Sequence, residues 1–352
     1  MAASRRLIGT LGGLVSHAWD RAVLLQMSGV LVEKPALLDL TPVEPATFWR
    51  QSVVGSPRPV RIARRWASLD GPEWEEVELT GESEGPGGHD GARTLYATGH
   101  LRRTGEPAPL VVLIHGYAIP FTGFDRLLAW RLRRHGAHTV RIELPFHLRR
   151  TLPGAHSGDH YFSIDPQHTR AVVRQSVEDV AAIVSWARRE VTPDVRLLGT
   201  SLGGLIGLLT TALVNVDLSL QIAPLCDPPA SFTERPPGAM QHYMGMVGEG
   251  EGYWGSDRAA ARRALDGALA PLVARNLEPA TPRRRITVVV PAADLVVGAA
   301  PMLELAETWG VDVWRYPHGH ITVMNAHGLT RRAVEHVTAS GATAGARLAL
   351  AG

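Results

Sequence analysis

The chain is short of several things, and each scarcity excludes something. It holds one cysteine, Cys226, so no disulfide can form within it and a disulfide-stapled scaffold is excluded. Lys34 is the only lysine. No lysine therefore lies near the strand ends considered below, which argues against a Schiff base or a Ser–Lys mechanism. Neither sign of charge prevails: 36 basic residues face 34 acidic ones, for a net charge of +2. The pI of 8.9 reflects arginine's high pKa, not a polybasic face, so no nucleic-acid partner is expected. Aromatic residues make up 6% of the chain, and no internal repeat or low-complexity tract stands out. What remains is an ordinary globular balance, 45% hydrophobic and 20% charged over 352 residues. A chain of this length can bury roughly 75% of the surface its unfolded form exposes.

Two stretches invite misreading. The N-terminal run has Arg5 and Arg6 ahead of apolar residues, as an export signal would, but Asp20 and Arg21 follow closely. Leu7, Leu11, Leu14, Val15, Ala18 and Leu25 recur with helical spacing. This predicts an amphipathic helix docked on the body or a partner, with peripheral membrane contact and export as the alternatives. The expected location is cytoplasmic, with peripheral membrane association through that helix as the alternative. The second stretch, Leu197 to Val216, has no charge over twenty residues. Its glycines at 199, 203, 204 and 207 around Ser201 fit a buried strand turning into a buried helix better than a membrane span.

From about residue 58 the pattern is one of short extended runs, Pro59–Ile62, Trp74–Leu79 and Thr94–Leu101. Then the rhythm changes to alternation. Leu110–Ile114 reads as a strand buried on both faces, and Phe124–His135 as a helix. The strand Thr139–Leu144, the long helix Pro166–Glu190 capped by Asp165, and the strand Val195–Leu198 follow. After these come the helix Leu202–Asn215 and the strand Leu218–Ile222. Beyond a Pro-rich excursion lie the strands Ile286–Val290 and Val311–Tyr316 and helices near Met302–Trp309 and Leu329–Thr338. Such alternation predicts right-handed βαβ units and a mostly parallel sheet flanked by helices, an α/β fold. The expected organisation is an N-terminal helical extension over 1–57 and an α/β domain over 58–345. A cap is inserted at about 224–282, with a helical piece at Ser256–Arg275.

The chemistry-bearing residues fall at strand ends. Gly199-Thr200-Ser201-Leu202-Gly203 is a G-x-S-x-G pentapeptide between a predicted strand and a predicted helix, the context in which that motif exposes a nucleophilic serine. Asp294 follows the strand Ile286–Val290, and His318-Gly319-His320 follows Val311–Tyr316. The order Ser201, Asp294, His320 supplies a nucleophile, an orienting acid and a base at one sheet edge. His318 competes as base, and Asp227 as acid. Gly319 favours His320, by making a tight turn that swings the next side chain over the serine. For the oxyanion, the backbone amide of Leu202 follows the nucleophile. The second donor is expected from His115-Gly116-Tyr117-Ala118, with Tyr117 preferred and Ala118 its neighbour alternative. His115 is read as a brace of that loop.

These motifs, His115-Gly116, the Gly199–Gly203 turn, Asp294 and Gly319-His320, together resemble the α/β-hydrolase superfamily over roughly residues 101–339. More narrowly, Leu144-Pro145-Phe146-His147-Leu148-Arg149-Arg150, the elbow through Gly204, and His318-Gly319-His320-Ile321-Thr322 look like the abhydrolase-domain-eighteen branch. The resemblance implies an α/β-hydrolase fold and a serine hydrolase of carboxylic esters. It implies Ser201 as nucleophile, His320 as base, Asp294 as acid and no cofactor. Eukaryotic relatives are implicated in lipid deacylation, so the expected partner is a small ester or acyl-lipid substrate. Thioesterase, amidase and lipid deacylase activity are the alternatives, together with a catalytically silent binding protein.

Weaker candidates remain. His156, Asp159, His160, Asp165 and His168 form a cluster read as a polar loop instead of a metal site. Arg149 and Arg150 are read as ion-pair partners, with an anion site as the alternative. Met240, Tyr243, Met244, Met246, Tyr253 and Trp254 make the cap apolar, as an acyl pocket or as the cap's own core.

Overall fold

A computed structural model describes residues 16–20, 38–84, 92–103, 105, 107–119, 122–163, 165–233 and 257–339. The cap residues Met240 to Trp254 and the N-terminal Leu7, Leu11, Leu14, Val15 and Leu25 lie outside the described residues.

Among the described residues, nine strands form one sheet. They are β1 (Val60–Ala67), β2 (Trp74–Glu82), β3 (Thr94–Arg102), β4 (Leu110–Ile114), β5 (His138–Glu143), β6 (Val195–Thr200), β7 (Leu218–Ile222), β8 (Ile286–Pro291) and β9 (Asp312–Tyr316). Their order is β1-β2-β3-β5-β4-β6-β7-β8-β9. The first three pair antiparallel with one another and with β5. From β5 to β9 every pairing is parallel, as the alternation predicted. With helices on both faces this is the α/β-hydrolase fold.

β4 explains its own sequence. Leu110, Val112 and Ile114 point into one core, with the helices α3 (Pro166–Glu190) and α4 (Leu202–Leu213). Val111 and Leu113 point into the other, with Leu128, Ala129 and Leu132 of α2 (Gly123–Arg134). A strand covered on both faces has no polar positions left, which is why the run is unbroken. The opposite case is β1. Only Val60 along it is buried and its other residues are half-buried or exposed, several of them arginines. The apolar pattern therefore marks only its start, and the strand runs on past Ile62 to Ala67 because its ladder to β2 continues.

Arg149 and Arg150 are both ion-pair partners. Arg149 bridges Glu143 and Glu78. Arg150 is fully buried and donates to Asp179, Ser83 Oγ and the carbonyls of Ala92 and Glu143. A buried guanidinium costs several kcal/mol of desolvation unless its donors are satisfied; the network occupies both terminal nitrogens and leaves Nε without a partner.

Residues 43–49, within the expected extension, contact residues 267–271, within the expected cap. Within α1 (Pro45–Arg50), Phe48 and Trp49 are buried, and Trp49 Nε1 donates to Pro271 O at 2.9 Å. Val43 N–H donates to Gly267 O. The helical piece expected over 256–275 is shorter: α6 (Arg258–Ala268) gives way to 3₁₀ turns at Ala270–Leu272 and Ala274–Asn276. Pro271 has no N–H to extend the helix and clashes with the preceding turn, which sets that limit. Among the described residues no helix is long and apolar enough to cross a membrane. The charge-free run 197–216 is divided between β6, a sharp turn and α4.

Candidate active site

Ser201 sits at the turn from β6 into α4 with φ 54° and ψ −114°, a conformation that costs a non-glycine residue about 1–3 kcal/mol. The surroundings hold it there. Its N–H donates to Ile222 O at 2.9 Å, and its carbonyl accepts from Leu205 N and Leu225 N. A Cβ on Gly203 would overlap the carbonyls of Ile114 and His115, and one on Gly199 would overlap Gly203 O and Gln221 Oε1. Side chains at these two positions would push α4 off the sheet, so the motif's glycines are steric requirements of the turn.

Two later strands deliver the partners. His320 Nε2 lies 2.9 Å from Ser201 Oγ, and its Nδ1 lies 2.8 Å from Asp294 Oδ2. Asp294 Oδ1 accepts from the backbone N–H groups of Val296 and Val297 at 2.8 and 2.9 Å, so the carboxylate cannot rotate away. Burial alone would lift the Asp294 pKa. The charge and hydrogen bond of His320, with those two N–H groups, hold it below the usual carboxylate range. In His320, burial disfavours the imidazolium, but Asp294 and then Asp20 outweigh it and raise the pKa above the ordinary value. Ser201, His320 and Asp294 are thus joined in one hydrogen-bonded run, an arrangement able to pass a proton from a hydroxyl to an imidazole.

The competitors lie elsewhere. The His318 side chain faces Tyr316, and its Nδ1 has no hydrogen-bond partner. Asp227 caps α5 (Pro228–Thr233) through Ala230 N and pairs with Arg275 and Arg262. Cys226 is buried, and burial followed by the charge of Asp227 pushes its thiol pKa well up. In the His/Asp cluster, His156 pairs with Asp159, His168 Nε2 bonds His160 O, and Asp165 caps α3. Among the described residues no group of three or more His, Cys, Asp or Glu is placed to hold a metal ion.

The loop after β4 packs against the serine, with Gly116 so near that an added Cβ would stand 3.6 Å from Ser201 Cβ. Two neutral histidines brace it. His115 takes Leu144 N–H on Nε2 at 3.0 Å and bonds Gly116 O through Nδ1, and burial pushes its pKa down to about 4. His147 bonds Pro145 O through Nδ1 and takes the Ala118 N–H on Nε2 at 3.0 Å. That bond occupies the amide of Ala118, the neighbour alternative to Tyr117. The Leu202 N–H, first in α4, has no acceptor within its helix.

A cavity of about 340 Å³ opens on Ser201 and His320, walled by Ile119, Phe124, Val296 and Met324. Asp125 also lines it; burial pushes this carboxyl up to about 6 against the pull of Arg141. No sequence pattern marked Asp125 or Asp20. Asp20 belongs to the helical residues 16–20, is fully buried, and bonds the backbone of the Asp294 and His320 loops. It also revises the reading of Gly319. That glycine does not have positive φ; instead a Cβ there would come 2.7 Å from Asp20 Oδ2. Its value is space.

No family model matches the chain, and no curated protein sequence matches it. Solved structures do resemble it. An acetyl xylan esterase from a Paenibacillus species superposes with a TM-score of 0.61 at 14% identity, over 89% of this chain and 98% of that one. Acetyl xylan esterase 1 from a Thermoanaerobacterium species gives 0.56 at 14% identity, over 84% and 93%. At such identity the likeness is one of fold.

Proposed function

We propose that the chain is a cofactor-independent serine hydrolase of small carboxylic esters, in which Ser201, His320 and Asp294 form the catalytic triad. The hydrogen-bonded run from Ser201 Oγ to His320 Nε2 and from Nδ1 to Asp294 carries this reading. His320 takes the hydroxyl proton as Ser201 attacks the ester carbonyl, and the amides of Leu202 and Tyr117 hold the oxyanion. The alkoxide leaves with the proton from His320, giving an acyl-serine. Water, deprotonated by His320, then attacks the acyl carbon, and collapse returns the proton to Ser201 and releases the acid. Asp294 stabilises each imidazolium. Esterases among the structural neighbours and the resemblance to the abhydrolase-domain-eighteen branch support the ester assignment. The small volume of the largely apolar cavity, about 340 Å³, supports short acyl groups, and the Asp125 carboxyl in its wall disfavours anionic ones.

Fluorophosphonate labelling with peptide mapping, beside turnover of p-nitrophenyl esters of increasing acyl length, tests the reading. The label is expected on Ser201 and the highest kcat/KM on the shortest esters. A folded protein that takes no label and hydrolyses none of the panel would overturn it. Thioester and amide substrates in the same assay separate the alternative leaving groups.

The pH profile follows from His320. Only the neutral imidazole accepts the serine proton, and its pKa is raised above 6.5. Activity is therefore lost as pH falls through that raised value, and the acid limb of kcat/KM is expected to centre above pH 6.5. A limb centred well below that value would remove His320 as the base.

A further inference from the structure

Asp20 is separated from His320 by 300 positions, yet its carboxylate is fully buried against the catalytic loops. Oδ2 accepts the N–H of His320 at 2.9 Å and that of Leu295 at 3.1 Å, and Oδ1 accepts the N–H of Ile321 at 3.0 Å. Leu295 directly follows the acid, and His320 is the base. One side chain thus ties together the two loops whose relative placement sets the acid–base hydrogen bond. A second contact anchors the same helical residues: Thr322 Oγ1 donates to Ser16 Oγ at 2.9 Å while accepting from Gly319 N–H at 3.0 Å. Gly319 lies against the carboxylate with no room for a side chain.

We propose that Asp20 is a positioning residue for the catalytic base: it fixes the His320 backbone against the Asp294 loop and adds a second negative charge behind the imidazole. The proposal rests on the triad reading above. A carboxylate is suited to this because it accepts all three N–H groups and carries no donor that would repel them. A buried charge kept only to dock residues 16–20 would be an expensive device, since apolar packing does the same without desolvation. The charge has a use beside a histidine that becomes positive twice per turnover. Among the described residues, the ionisable groups acting on His320 are Asp294 and Asp20; Asp125 lines the same cavity, and His318 stands two residues before it.

The test compares Asp20→Asn with Ser16→Ala, which weakens the same anchor without touching the charge. Steady-state rates on p-nitrophenyl acetate are measured across the acid and neutral range, with circular dichroism as a check of folding. For Asp20→Asn, kcat is expected to fall by about ten- to a hundredfold with KM within about threefold, and the acid limb to move to lower pH. For Ser16→Ala the limb should stay in place. An Asp20→Asn limb that coincides with wild type, or equal losses in both variants with no shift, would reduce Asp20 to a structural anchor. NMR titration of carbon-labelled imidazoles, with His320 assigned by a His320→Gln variant, reads the same shift without substrate. A wild type that hydrolyses no ester would therefore sink the esterase reading while the titration still decides Asp20. If Asp20→Asn does not fold, Asp20→Glu keeps the charge one methylene further out. It should retain the wild-type limb at reduced kcat, and a limb displaced to lower pH would overturn the proposal.

Discussion

Replacing Ser201 with alanine is expected to abolish fluorophosphonate labelling and to lower kcat on p-nitrophenyl acetate by about ten-thousand- to a million-fold. The size of the loss follows from the mechanism. Without the hydroxyl there is no acyl-enzyme, and His320 can only assist direct attack by water in a site shaped around the serine. The residual rate reports what the Leu202 and Tyr117 amides and substrate binding contribute alone. Folding should survive the change, because the positive φ at residue 201 is imposed by Gly199, Gly203 and the backbone bonds to Ile222 and Leu225. Alanine keeps the serine's Cβ and lacks only the oxygen, so it adds no new clash at this turn. Activity within a hundredfold of wild type would remove Ser201 as the nucleophile.

Asp294→Asn is expected to cost about ten-thousandfold in kcat, more than its one-atom change suggests. The structure determines which way the amide turns. Asp294 Oδ1 accepts from Val296 and Val297, so the asparagine oxygen belongs there and its NH₂ faces His320 Nδ1. Nδ1 must then accept, which places the imidazole proton on Nε2, pointing at Ser201. A base already carrying the proton on that nitrogen cannot take another from the hydroxyl. The fluorophosphonate labelling rate should fall with kcat, because both depend on the same proton transfer. If kcat stays within tenfold, the orienting acid is a different group.

What could be read in advance depended on whether the signal was local. β4 was visible because both of its faces are buried, and the serine turn because steric overlap at Gly199 and Gly203 leaves so few sequences able to make it. Asp294 and His320 stood out as candidates by their place at the ends of predicted strands, and the structure sets them beside Ser201. The length of β1 was hidden because an edge strand is defined by its ladder to β2, not by apolar periodicity. Gly319 was legible as necessary but for another reason, since the atom it avoids belongs to Asp20. Asp20 and Asp125 had no signature at all. A lone aspartate acquires its role from groups the fold brings to it, and no spacing rule joins residue 20 to residue 320.

The burial of Cys226 has a use outside catalysis. Its thiol is the only one in the chain and is both enclosed and disfavoured as a thiolate, so slow reaction with maleimides and haloacetamides is expected. No background cysteines need to be removed before a reporter is introduced. Ser201→Cys would supply one reactive sulfur, beside an imidazole, and its alkylation would count the molecules in a preparation whose turn is correctly made. A cysteine at the fully exposed Leu69 would give a fluorophore or spin label a single address on the opposite kind of terrain.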